Sequence, residues 1–250
     1  KKKKKNNMQQ DKINQPAAIK TGNIIFGMIL MFIIVHIGFH ATYIKEFPVF
    51  QKYNWLHHIH GALMGSWVML LLVQPILIHK KKFAAHRFLG KLSYAIAPCM
   101  IVSMVFIARN NYETGILKKS AADVMATQSI TWMQIVMFIF FYSLAIYCRK
   151  NTYNHMRFMI ATAIIMLGPP INRIIVSYFP DVPIPYIFLI SLYVKTAVAA
   201  ALFLSDLVKK KYLMPGLIVL STFLFSDVVF HARYSDAWQA VGKFIVNTFY

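Results

Sequence analysis

One stretch constrains this chain more than any other. Leu56–Lys91 reads LHHIHGALMGSWVMLLLVQPILIHKKKFAAHRFLGK. A histidine cluster opens an apolar run, three lysines close it, and a second apolar run follows at once. A helix rises 1.5 Å per residue, so about 20 apolar residues match the roughly 30 Å of bilayer hydrocarbon. The chain therefore crosses a membrane, meets a lysine-rich face and turns straight back.

Further apolar runs follow the same logic. They fall at Gly22–Tyr43, Leu56–Ile78, Phe88–Ala108, Ile130–Tyr147, Phe158–Val176, Pro185–Leu204 and Tyr212–Phe230. Hydrophobic residues make up 58% of the sequence and charged ones 14%, far below the quarter expected of a soluble domain. An open chain can satisfy its own backbone groups in lipid only as a helix. The expected fold is all-α: a polytopic membrane protein, a single-domain bundle of seven transmembrane helices over 22–230. Segment 1–21 is polar and basic, either disordered or lying on lipid headgroups. The first span follows it without a small-residue cleavage site and is read as uncleaved. Gly168, Pro169 and Pro170 make the fifth span the weakest and should kink it. The 231–250 tail is an interfacial helix or a loosely ordered end, with Trp238, Val241, Ile245 and Phe249 near helical spacing. Arg109–Ser129 reads as the longest loop.

The net charge of +19 follows topology rather than nucleic acid, because the basic residues sit mostly at the ends of apolar runs. With the N-terminus inside, inner segments hold 18 of the 27 lysines and arginines and outer segments 7. Only Arg173 and Lys195 lie within spans. The positive-inside bias therefore places the N-terminus inside and the C-terminus outside. Cys99 and Cys148 sit in apolar and basic surroundings and read as free thiols.

Topology sorts the histidines. His36 and His40 end the first span on the outer side, and His57, His58 and His60 open the second there. Spacings of four and three put His36 with His40, and His57 with His60, on shared helix faces. On the inner side His86 and His155 start different helices at matching depth. Histidines from separate helices at one depth suit haem b; the outer set alternatively suits zinc, copper or non-haem iron. The plain alternative is that these are interfacial rings, half-hydrated at headgroup level. Gly61 and Gly65 leave room for a helix-packing contact or a macrocycle.

Ionisable groups within spans need partners. An Arg173–Asp227 ion pair is expected in the outer half. The functional alternative is a polar pocket of Asn172, Arg173, Lys195 and the kink, suited to an anionic headgroup, a carboxylate or a quinone oxygen. Ser191 stands four residues before Lys195, so the Asp-x-x-x-Lys setting of a retinal Schiff base is absent. Phosphate loops, Gly-x-Ser-x-Gly and Cys-x-x-Cys are also absent.

The segments HHIHGALMGSW, QPILI, HRFLGK and HMRFMIATAIIMLGPPINR resemble an uncharacterised family of bacterial polytopic inner-membrane proteins. The resemblance covers about His57 to Arg173. It implies a bacterial inner-membrane location and points to His60, Trp67, Gln74, His86, Arg87, His155, Arg157 and Arg173, but implies no activity. A weaker likeness to dihaem b cytochromes departs from their pattern in the fourth span, which has no histidine.

Three function classes remain. The first is redox, through haem b or a transition metal at His36, His40, His57, His60, His86 or His155, with a quinone as the candidate electron partner. Trp67, Gln74, Asn172, Arg173, Lys195 and Asp227 are its pocket candidates. The second is a non-enzymatic accessory subunit or assembly factor working with other membrane subunits. The third is a small-molecule or lipid transporter.

Overall fold

A computed structural model describes residues 21–250. The expectation for 1–20 lies outside the described residues. Helices form in the order α1 (Thr21–His40), α2 (Trp55–His79), α3 (Phe83–Gly115), α4 (Ala121–Tyr147), α5 (Thr152–Ile165), α6 (Gly168–Tyr178), α7 (Ile184–Val208), α8 (Met214–His231) and α9 (Asp236–Phe249). With α5 and α6 taken as one broken span, seven segments are long and apolar enough to cross a membrane. The seven-helix bundle is thus the fold, and no strand occurs among the described residues.

Polar residues start the helices. The side chains of Asn54, Ser120, Asn151 and Ser235 accept hydrogen bonds from the first-turn amides of α2, α4, α5 and α9. Those amides have no partner inside their helices, so the caps fix where each one begins.

The fifth span is the centre of the bundle. α5 packs on α4, α7 and α8 and touches α2, while α6 packs between α1 and α7. The run Ala161–Gly168 is buried throughout. The span that Gly168, Pro169 and Pro170 make look weakest in sequence is the one most enclosed by protein. The break falls where the prolines require it. Pro169 and Pro170 have no N–H, so the carbonyls of Ile165 and Met166 lose their i+4 donors. The last turn of α5 tightens instead, with Met166 N–H donating to Ala163 O and Leu167 N–H to Ile164 O, both at 3.1 Å.

Gly38 holds α1 against this break. A Cβ there would stand 2.5 Å from the Pro170 carbonyl oxygen and 2.7 Å from its Cα. Backbone cannot swing aside, so Gly38→Ala should push α1 off α6. The expected loss is about 1–3 kcal/mol, read as a lower melting temperature in detergent. Gly27→Ala, with nothing within 4 Å of its Cβ position, is the control.

Two expectations change. Gly61 and Gly65 do not form a helix contact: both are exposed, the nearest atom to Gly61 is the Tyr43 hydroxyl at 4.0 Å, and Gly65 has none within 4 Å. The long outer loop is mostly helix, because α3 runs on to Gly115 and α4 begins at Ala121. Arg109 Nε pairs with Glu113 at 2.7 Å along this extension, and Gln128 Nε2 donates to Ala108 O at 3.2 Å across it.

The tail is helical and docked. Trp238 Nε1 donates to Met125 O at 3.1 Å, and Gly242 lies under the Met125 sulfur. Trp132 Nε1 donates to the Tyr250 hydroxyl at 2.9 Å, which donates to Gln128 Oε1 at 3.0 Å. Of the four residues at near-helical spacing, Trp238 and Ile245 are partly buried and Val241 and Phe249 are exposed. Burial raises the Tyr250 hydroxyl above its usual 10.0. The folded protein therefore holds a proton that the unfolded chain releases first. This contribution is intact below pH 10 and lost as pH rises through the folded value. Undocking of α9 above pH 10, followed by Trp238 fluorescence, is the expected sign.

Candidate functional site

The bundle holds a charged group where lipid-exposed chemistry would forbid one. Lys195 stands near the middle of α7 and is 4% exposed. It takes part in none of the three ion pairs among the described residues. Its ammonium faces the break in the fifth span. A Cβ on Gly168 would lie 3.4 Å from Lys195 Nζ and 3.0 Å from Gln134 Nε2 on α4. The missing side chain at Gly168 thus leaves room for two donors from two helices, at the N-terminal end of α6. The positive end of that helix dipole adds to the same field.

Asp227 on α8 lies within charge–charge reach of Lys195 but makes its hydrogen bonds to another residue. Thr196, next to Lys195 on α7, donates to both Asp227 oxygens at 3.1 and 2.8 Å. The expected Arg173–Asp227 pair is absent. Arg173 turns the other way: Nη1 donates to Pro169 O at 3.4 Å and the guanidinium lies 4.4 Å from the centre of the Phe39 ring. The reason is topological. α6 packs on α1 and α7, whereas Asp227 faces α7 from α8. Arg173 instead comes within charge–charge reach of Tyr53, His57 and His60. Beside it, the Asn172 side-chain oxygen is buried without a partner.

The outer imidazoles do not gather. His36 and His40 share a face of α1, as their spacing requires, with ring centres 6.3 Å apart. Both are exposed, on the side away from the core-facing Met28, Met31 and Gly38. On α2, His57 Nδ1 bonds the Asn54 side chain at 2.7 Å, His58 bonds the Tyr43 hydroxyl, and His60 Nδ1 bonds Ser103 Oγ at 3.0 Å. Among the described residues no three His, Cys, Asp or Glu side chains come together to hold a metal. Arg173 also makes the surroundings of His57 and His60 unfavourable for a cation.

The inner histidines are each anchored by a neighbouring helix. His155 Nδ1–H donates to Ala145 O at 2.8 Å. The Gln74 amide takes the Gly90 N–H at 2.9 Å on its oxygen and donates to His86 Nδ1. Each ring is held through Nδ1, which leaves both Nε2 atoms without a protein partner. His86 and His155 lie within charge–charge reach of one another.

The pocket expected from sequence therefore splits. Gln74 belongs to the inner histidines, and Asn172 and Arg173 to the outer half of α6. Lys195 and Asp227 lie at mid-membrane. Trp67 belongs to the core, fully buried edge-on to Phe138 and Tyr142 at 5.1 and 5.4 Å.

Three residues were not legible as site residues. Gln134 shows no sequence signal beyond one amide in an apolar run. Asp206 looks like a flank to Lys209–Lys211, yet it is fully buried and paired with Arg157, whose Nε also donates to the Tyr153 hydroxyl at 3.3 Å. Ser191 is buried one turn from Lys195. Along the same face of α7, Phe188 lines a cleft of about 340 Å³ with Asp123, Thr127, Phe230 and Arg233. Phe188, Ser191 and Lys195 thus form one stripe from the outer cleft to the middle of the bundle.

No family model matches the chain, and no curated protein or solved structure matches it significantly.

Proposed function

We propose that this protein is a multi-pass carrier of the bacterial inner membrane that binds a small carboxylate or similar anion beside Lys195. The observation that carries this reading is the Lys195 ammonium, buried near the middle of α7 with no ion-pair contact among the described residues and Asp227 only within charge–charge reach. Removing a charge from water is worth several kcal/mol against the fold, so an intramembrane lysine is kept for a task. Gln134 and the N-terminal end of α6 supply further positive potential at the same point. A carboxylate would accept from both side chains. A broken helix at the membrane centre is also the usual setting for a carrier's binding site. The cleft above Phe188 and Ser191 offers a route from one side.

Uptake of labelled acetate, benzoate and succinate into proteoliposomes, with choline as the cationic control, is the test. Saturable entry of at least one anion and none of choline is expected. If none of the three anions enters or stabilises the protein against heat, the reading fails.

A second reading rests on the inner histidines. Their free Nε2 atoms, on α3 and α5, suit axial ligation of a b-type haem or shared binding of a copper, zinc or iron ion. Arg173 and Asn172 would then offer a donor and an acceptor to a quinone. Reduced-minus-oxidised spectra of protein purified from haem-supplemented cells, with elemental analysis, decide this. An α-band lost in His86→Ala and His155→Ala supports it, and a featureless, metal-free protein excludes it. Partner subunits that co-purify in stoichiometric amount would favour the accessory role instead.

A further inference from the structure

Two turns on the basic face of the bundle are built alike. α2 ends in Lys80-Lys81-Lys82-Phe83 and α7 in Lys209-Lys210-Lys211-Tyr212. In the first, Lys82 N–H returns to Leu77 O at 2.8 Å and Lys81 N–H to Ile78 O at 3.0 Å. In the second, Lys211 N–H returns to Asp206 O at 2.9 Å and Lys210 N–H to Leu207 O at 3.0 Å. This is the helix cap in which glycine is usual, because its central residue takes a left-handed conformation. Here lysine occupies that position twice, with φ of 57° at Lys81 and 49° at Lys210. A side chain with a Cβ is strained there, and glycine is not.

Membrane orientation does not account for this choice. It responds to lysines and arginines near span ends, and acidic residues contribute little to it. Yet among the described residues this face shows no exposed acid. Glu46, Glu113, Asp123, Asp181 and Asp236 all stand in segments at the opposite ends of the helices. Asp206, the one acid near the basic face among the described residues, is buried against Arg157. Among the described residues the lysines therefore have no exposed carboxylate beside them. Each triplet is followed by an exposed aromatic, Phe83 at 49% and Tyr212 at 60% exposure. Ammonium groups above an aromatic ring at a span boundary match a phosphate headgroup above its acyl chain.

We propose that each of the two Lys-Lys-Lys-aromatic caps docks anionic phospholipids, with the lysines on the phosphates and Phe83 and Tyr212 at the acyl boundary. The test uses the full chain in nanodiscs of phosphatidylcholine alone or mixed with phosphatidylglycerol, read by melting temperature. The wild type should melt about 3 °C or more higher in the mixture. The double variant K81G/K210G relieves the strain and removes two charges. It should melt at least as high as wild type in phosphatidylcholine, yet lose at least half of the rise in the mixture. K118Q/K119Q, on the opposite face, should keep the full rise. A full rise in K81G/K210G, no rise in wild type, or an equal rise with inorganic phosphate in phosphatidylcholine overturns the proposal.

Discussion

Lys195→Met should make the protein harder to melt and unable to take up anions. The two effects have one cause. The ammonium is held out of water with no carboxylate in contact, and Asp227 acts on it only from charge–charge reach, an arrangement that opposes folding by several kcal/mol. Methionine has nearly the same length and fills the space beside Gly168 without a charge. Replacing buried ionic groups with apolar ones of similar volume is commonly neutral or stabilising by about 1–4 kcal/mol. At about 2–4 °C per kcal/mol for a chain of this size, a rise of several degrees is expected in detergent. Uptake should fall at least about tenfold, the consequence of losing one charge-assisted hydrogen bond worth more than 1.4 kcal/mol. A variant that melts lower and still transports would show that the ammonium has a structural partner, and would sink the binding role. Gln134→Leu should reduce uptake with less change in stability, since a neutral amide is less costly to bury than an ion.

The largest loss of stability should come from the buried Arg157–Asp206 pair. Its side chains are 9% and 1% exposed, so neither can turn to water if the other is removed. Asp206→Ala leaves the Arg157 guanidinium with only the Tyr153 hydroxyl, at an expected loss of about 3–5 kcal/mol. Arg157→Met leaves a buried carboxylate, one of whose oxygens already lacks a partner. The combined Arg157→Met/Asp206→Leu change should recover most of what either single change loses. Melting temperatures of the four proteins give the coupling directly. Single variants as stable as wild type would mean that water reaches the pair.

The architecture was readable in residues because bilayer thickness acts on every span separately. Length, apolarity and flanking charge are local properties, so seven runs gave seven helices. Pro169 and Pro170 likewise announced the break, since a missing N–H acts wherever it occurs. The site was less readable. His36 and His40 share a face, as their spacing says, but spacing is silent on which way that face points. Only the seating of Gly38 on Pro170 turns both rings away from α2. Arg173 and Asp227 look like partners by depth and prove to be on helices that face different neighbours. Asp206 reads as surface, and its burial depends on where α5 places Arg157.

By itself, the sequence determined that this chain crosses a membrane seven times, where its central span breaks and which face is basic. Each follows from hydrophobic length, proline chemistry or charge at a span end, and none needs knowledge of a neighbour. Tertiary structure alone decided that the fifth span is the core and that Lys195 and Gln134 meet across Gly168. It alone anchored His86 on Gln74 and His155 on Ala145, and left His36 and His40 exposed. Those are relations between helices, set by how their surfaces fit, and no periodicity within one helix encodes them.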